Sequence, residues 1–155
     1  MKKLLILFSI LAMLGCKSKK DSAPKPVVTK TTKISLDKVD EVQKGKAYEL
    51  GKRVLSTCNT SKFKPFNTSE ATESVIKNTT EVRLTKTCHN FRLKYGAFKD
   101  IKLIEVFRDK KTKANIYRFK ADYEKKIANK ELRVTMNEKN QVAGIKSLDW
   151  INTFK

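Results

Sequence analysis

The chain is 155 residues long, carries a formal net charge of +19 and is 39% hydrophobic. Its one long apolar run, residues 4–14, is too short for a membrane-spanning helix, which needs about 20 residues. The lysines are spread along the whole chain and not gathered into one groove-sized stripe, which argues against nucleic acid as the partner.

The first segment is an address. Lys2 and Lys3 precede the apolar run, and Gly15-Cys16 follow it, as in a secretory signal. Met13-Leu14-Gly15-Cys16 resembles a bacterial lipobox, which implies removal of residues 1–15 and lipidation of Cys16. A lipid there anchors the mature chain to a membrane, each buried CH₂ contributing about 0.8 kcal/mol. Lys17, not Asp, follows Cys16; the expected place is the cell envelope, extracytoplasmic, on the outer membrane if the cell is Gram-negative. Residues 16–33 hold two prolines, many Ser and Thr and six lysines, with no apolar period, and read as a disordered tether. The rest, residues 34–155, is long enough for one domain with a real core. Its 27 basic and 15 acidic residues leave +12, so anionic surfaces are possible partners.

Apolar positions at three-and-four spacing predict a helix over residues 36–57 with Ser35 as its cap. Gly45 and Gly51 each weaken it by about 1 kcal/mol relative to Ala, and close contact with the sheet is a reason to keep them. Asn67 followed by Glu70 predicts the cap of a short helix ending near residue 77. Thr85 is the expected cap of a third helix ending at Tyr95, with Gly96 just beyond it. Cys88, Phe91 and Tyr95 form the predicted buried face of that helix.

Cys58 and Cys88 remain after lipidation of Cys16. In an oxidising compartment a Cys58–Cys88 disulfide is the leading expectation, and closing the loop stabilises by roughly 3–4 kcal/mol. The alternatives are two buried thiols or a catalytic Cys. The only histidine, His89, adjoins Cys88, but neighbouring helix residues point about 100° apart. Two Cys and one His also lack a fourth ligand at metal-site spacing. Neither a metal nor a cofactor is expected.

Residues 101–150 read as four strands joined by short turns, hence an antiparallel sheet. In the second, Tyr117, Phe119, Ala121 and Tyr123 share one face, while Arg118, Lys120, Asp122 and Glu124 share the other. Leu132, Val134 and Met136 continue the apolar face in the third strand. Arg118, Lys120, Asp122, Glu131 and Arg133 are expected on a solvated face as cross-strand charge pairs. Gly144 in the fourth strand predicts a bulge.

Helices followed by an antiparallel meander, with Tyr95-Gly96-Ala97-Phe98 at the junction, the charged-aromatic strand of residues 117–123 and Val142-Ala143-Gly144-Ile145 in the last strand, resemble the nuclear transport factor 2-like (cystatin-like α+β) fold of small secreted bacterial domains. The resemblance implies an α+β domain with three N-terminal helices on a curved, cone-like four-stranded sheet. It also implies an apolar pocket whose possible lining is Tyr48, Tyr95, Glu105, Tyr117, Phe119, Tyr123 and Trp150. The same aromatics are otherwise simply core. Glu105 shares its alternation class with Leu103 and Phe107; turned inward it would serve as a base beside a Tyr, and turned outward it is an edge carboxylate paired with a Lys. Trp150 and Phe154 would close the pocket mouth or pack the sheet face of a homodimer. The expected function is non-catalytic binding of an unknown ligand or envelope protein, the alternatives being a small acid–base enzyme or electrostatic attachment to anionic envelope polymers.

Overall fold

The computed structural model describes residues 31–154; the signal segment, Cys16 and the tether as far as residue 30 lie outside the described residues. The elements are β1 (Thr31–Ile34), a 3-10 turn (Leu36–Lys38), α1 (Glu41–Thr60), α2 (Glu73–Asn78), α3 (Glu81–Tyr95), β2 (Phe98–Asp109), β3 (Ala114–Tyr123), β4 (Lys130–Met136) and β5 (Val142–Asp149). They form an α+β fold with one antiparallel sheet in the order β1-β2-β3-β4-β5. The sheet therefore has five strands where four were expected, and the helices sit between β1 and β2 instead of ahead of the whole sheet. The added strand contains Thr31, Thr32 and Lys33, which composition assigns to the tether. It pairs from Thr31 opposite Asp109 to Ile34 opposite Val106. A four-residue edge strand is held by backbone bonds and β-branched residues, so it shows no apolar alternation.

Helix starts differ from expectation for local reasons. Ser35 precedes only the 3-10 turn; Val39 is extended, and Asp40 caps α1 by accepting a 2.6 Å bond from the Gln43 amide. Asn67 and Glu70 do form the reciprocal capping pair, each side chain accepting from the other's backbone at 3.1 Å. No helix follows at once, because the chain there bonds to the start of β5: Thr72 N donates to Val142 O and Val142 N to Glu70 O. Tertiary pairing thus delays α2 to Glu73. Thr80, not Thr85, caps α3, and Gly96 ends it at φ +77° as expected.

The helices cover one face of the sheet. Tyr117, Phe119, Ala121 and Tyr123 of β3 are buried beneath them with Leu132, Val134 and Met136 of β4, as alternation predicts. Gly51 lets α1 approach: a Cβ there would lie 2.9 Å from Leu132 Cδ2 and 3.0 Å from Val134 Cγ2. Gly45 has nothing within 4 Å, so close packing explains only one of the two. At the N-terminal end of α1 the buried Gln43 ties helix to sheet. Its Oε1 accepts from Tyr117 OH (2.9 Å) and Asn115 Nδ2 (2.7 Å), and its Nε2 donates to Asn140 Oδ1 at 2.7 Å. The expected bulge in β5 is present, with Ala143 as the extra residue beside Gly144.

Two measurements follow from this packing. Gly51→Ala is expected to destabilise by about 1–2 kcal/mol because the methyl group overpacks the sheet, whereas Gly45→Ala should stabilise by about 0.5–1 kcal/mol through helix propensity; urea denaturation of both variants checks the pair. Burial pushes the Tyr117 and Tyr123 hydroxyls up to about 12. Their folded-state values exceed the unfolded value near 10, so the stability they contribute is complete below pH 10 and is lost as pH rises towards 12. The loss is about 1.4 kcal/mol per group per pH unit in that window. Tyr123 OH has no hydrogen-bond partner among the described residues, so Tyr123→Phe should roughly halve the alkaline slope in urea titrations while leaving stability at neutral pH unchanged or higher.

Candidate functional site

α3 packs against α1 more than against the sheet, and only Cys88 and Tyr95 of its fifteen residues are buried. It is held at three points. Glu81 Oε2 accepts from the Phe63 amide at 2.8 Å near its start. Cys88 is bonded to Cys58 of α1 in its middle, Cα to Cα 4.6 Å. Its end is fixed by an aromatic cluster, with Tyr95 5.8 Å from Tyr123 and Phe98 5.6 Å from Tyr123 between ring centres. Between these points Thr87 and Cys88 line a space that Leu132 of β4 and Ile145 and Ser147 of β5 also line.

The space left over is a cleft of about 300 Å³. Val54, Leu55, Leu84, Phe91, Leu132 and Ile145 make its apolar wall, and both halves of the disulfide line it. The polar residues at its mouth are Asn78, Thr79, Thr87 and Ser147, three of them exposed. The volume is at the lower end for small-molecule sites, which are typically apolar with a few polar groups at fixed places.

The expected pocket residues do not line this cleft. Tyr95, Tyr117, Phe119 and Tyr123 are core, all less than a tenth exposed. Tyr48 packs 6.4 Å from Phe119 at the core's edge, its hydroxyl donating to Asp100 at 2.7 Å. Tyr117 and Phe119 pack against α1 and Tyr95 and Tyr123 against each other at the end of α3, and the plainer alternative is the observed one. Leu84, Thr87, Ile145 and Ser147 were missed. The available signal was the pair of small residues, Thr87-Cys88, on a helix face that needs to reach a sheet.

Glu105 and Trp150 lie on the other side of the sheet. Leu103 opposes Phe119 and Glu105 opposes Arg118, so Ile104 is an extra residue and the alternation of β2 flips there. That bulge turns Glu105 outward, where it bonds Lys33 Nζ at 2.7 Å and Arg118 Nη1 at 2.8 Å. Lys33 first, and then Arg118, hold its carboxyl below the usual range, the reverse of the raised value that suits a general base. The edge-carboxylate alternative is therefore the one found.

Arg118 was expected on a solvated face but is fully buried. It bonds the equally buried Glu131 at 2.6 Å, and Glu131 also bonds Arg133. Burial lowers the guanidinium pKa, but Glu131 and Glu105 outweigh that and hold it above its ordinary value. The cover is the C-terminal segment. Trp150 stacks over the Arg118 guanidinium at 4.1 Å, Ile151 O accepts a bond from Arg118, and Phe154 stacks on Phe107 with ring centres 4.0 Å apart. Trp150 and Phe154 thus pack on their own sheet and do not close the cleft. Removing one charge from a buried, bonded pair typically costs about 3–5 kcal/mol, and Glu131→Gln is expected to fall in that range by urea denaturation. Glu105→Gln, at a part-exposed carboxylate, should cost clearly less; equal losses would show that the burial of Glu131 is not what matters.

No family model matches the chain, and no match was found among curated proteins or solved structures.

Proposed function

We propose that the protein is a lipid-anchored, extracytoplasmic binding module that holds a small, largely apolar ligand in the cleft between α1, α3, β4 and β5. The carrying observation is the cleft itself: about 300 Å³ walled mainly by aliphatic and aromatic side chains, with three of its four polar lining residues exposed. The one carboxylate considered as a base, Glu105, is on the opposite face of the sheet and ion-paired, which favours binding without catalysis. The disulfide suits an oxidising compartment, and with the lipobox-like Met13-Leu14-Gly15-Cys16 it supports an address in the cell envelope. A helical layer on one face of an antiparallel meander supports membership of the nuclear transport factor 2-like group. In this chain the ligand space lies beside the core, because the cone that the resemblance implies is filled by Tyr117, Phe119 and Tyr123.

The test uses the exported chain with Cys16→Ala, free of lipid and detergent, and the neutral fluorophore N-phenyl-1-naphthylamine. Saturable binding of one probe per chain is expected. Leu84→Trp, which fills the cleft from its part-buried wall, should weaken it by roughly tenfold or more, a loss comparable to excluding one apolar ring. Signal that never saturates, or that Leu84→Trp leaves intact while the fold is retained, would sink the proposal.

A further inference from the structure

We propose that the outer face of the sheet carries a second site, for a phosphate-bearing ligand, in the depression between β2, β3 and the loop of residues 124–129. This open concavity measures about 690 Å³, and Lys102, Lys120, Lys125 and Lys126 all line it. Lys102 and Lys120 are direct cross-strand partners, a like-charge pairing; on its other side Lys120 faces Glu131, whose carboxylate is already shared by Arg118 and Arg133. The chain's own carboxylates supply little relief. Asp100 is engaged by Tyr48 OH at 2.7 Å and Lys52 Nζ at 3.1 Å. Asp122, also in the wall, forms no ion pair among the described residues, and neither do Lys102 and Lys126. Lys125 donates to the Leu93 carbonyl at 3.0 Å.

Four lysines lining one concavity, two of them with their ammonium groups resting on the Leu93 carbonyl and the Trp150 ring, suit a compact, multiply charged oxyanion, for which lysine acts as a point-charge binder. Ile104 and Ala128 give the depression an apolar patch, and Asn129 adds an amide, so the phosphate can carry a glycerol-sized or sugar-sized body. Ile127, next to Lys126 in the chain, is 73% exposed. The same phosphate chemistry is presented by a free ester and by a phospholipid headgroup.

The reporter is built in. Trp150 is the chain's single tryptophan, and Lys120 Nζ lies 5.3 Å over its ring. The full chain in dodecyl maltoside micelles is titrated with glycerol 3-phosphate and, separately, moved into the same micelles doped with phosphatidic acid. Trp150 emission and the backbone amide resonances of the 124–129 loop are followed. A saturable response to the free ester identifies a soluble phosphate ester; a response only in doped micelles identifies the headgroup. In either case Lys102→Ala/Lys126→Ala, which keeps the Lys120–Trp150 contact, is expected to weaken binding by about tenfold or more, as loss of charge-assisted bonds does. The control Lys110→Ala/Lys111→Ala removes equal charge from the β2–β3 turn and should change it less than about twofold. The proposal is overturned if both probes leave emission and amides unmoved, if sodium chloride at matched ionic strength gives the same response, or if the two double variants lose equally.

Discussion

Arg118 has no exposed surface, although it points away from the helices. A guanidinium taken out of water is held only if every neighbour compensates, and the chain supplies the compensation from four strands and its own end. Lys33 of β1 reaches Glu105 of β2; Glu105 and Glu131 flank Arg118 of β3; Glu131 also holds Arg133 within β4. Trp150 and the Ile151 carbonyl close the site from above. Charges alternate in sign along this row, so each is stabilised by its neighbours. The C-terminal segment has its place because the charges need a cover, and the charges can be buried because the segment covers them.

The sheet therefore has two different faces. The inner one follows apolar packing, with α1 drawn close at Gly51 and pinned at Gln43. The outer one is ionic, roofed by aromatic rings. The cleft exists because α3 follows neither rule completely. It is bonded to α1 at Cys58–Cys88 and anchored at Tyr95, and only Cys88 and Tyr95 of its residues are buried. The disulfide is both what keeps α3 in place and part of the cleft's wall.

Much of the inner face was legible in the chain. The period of two in β3 placed Tyr117, Phe119, Ala121 and Tyr123 correctly; Gly96 marked the end of α3, and two cysteines in one domain pointed to their pairing. The outer face was not legible, because the same period cannot distinguish a solvated charge from one roofed by a distant segment. Arg118 shows this most plainly: thirty-two residues separate it from the Trp150 that covers it. Alternation grouped Glu105 with Leu103 and Phe107 and left both its inward and its outward, Lys-paired placement open; the bulge at Ile104 decides for the outward one, and nothing in Leu103-Ile104-Glu105 announces an extra residue. Asn67 and Glu70 made their expected bonds without starting a helix, since Val142 claimed the following backbone. β1 carries no apolar pattern, as its stability comes from the edge it joins.

β1 has a mechanical consequence. It is the first described element of the chain, it begins opposite Asp109 at one end of the longest hairpin, and its four residues are zipped to β2 alone. Any pull transmitted from the residues ahead of Thr31 reaches the domain through that short strand. The third residue along, Lys33, is tied through Glu105 to the buried charges, so the outer face of the sheet takes part of that load. The same short strand leads through the 3-10 turn into α1, so the place where a pull would enter the domain is joined to the outer charges by side chains and to the helices by the backbone.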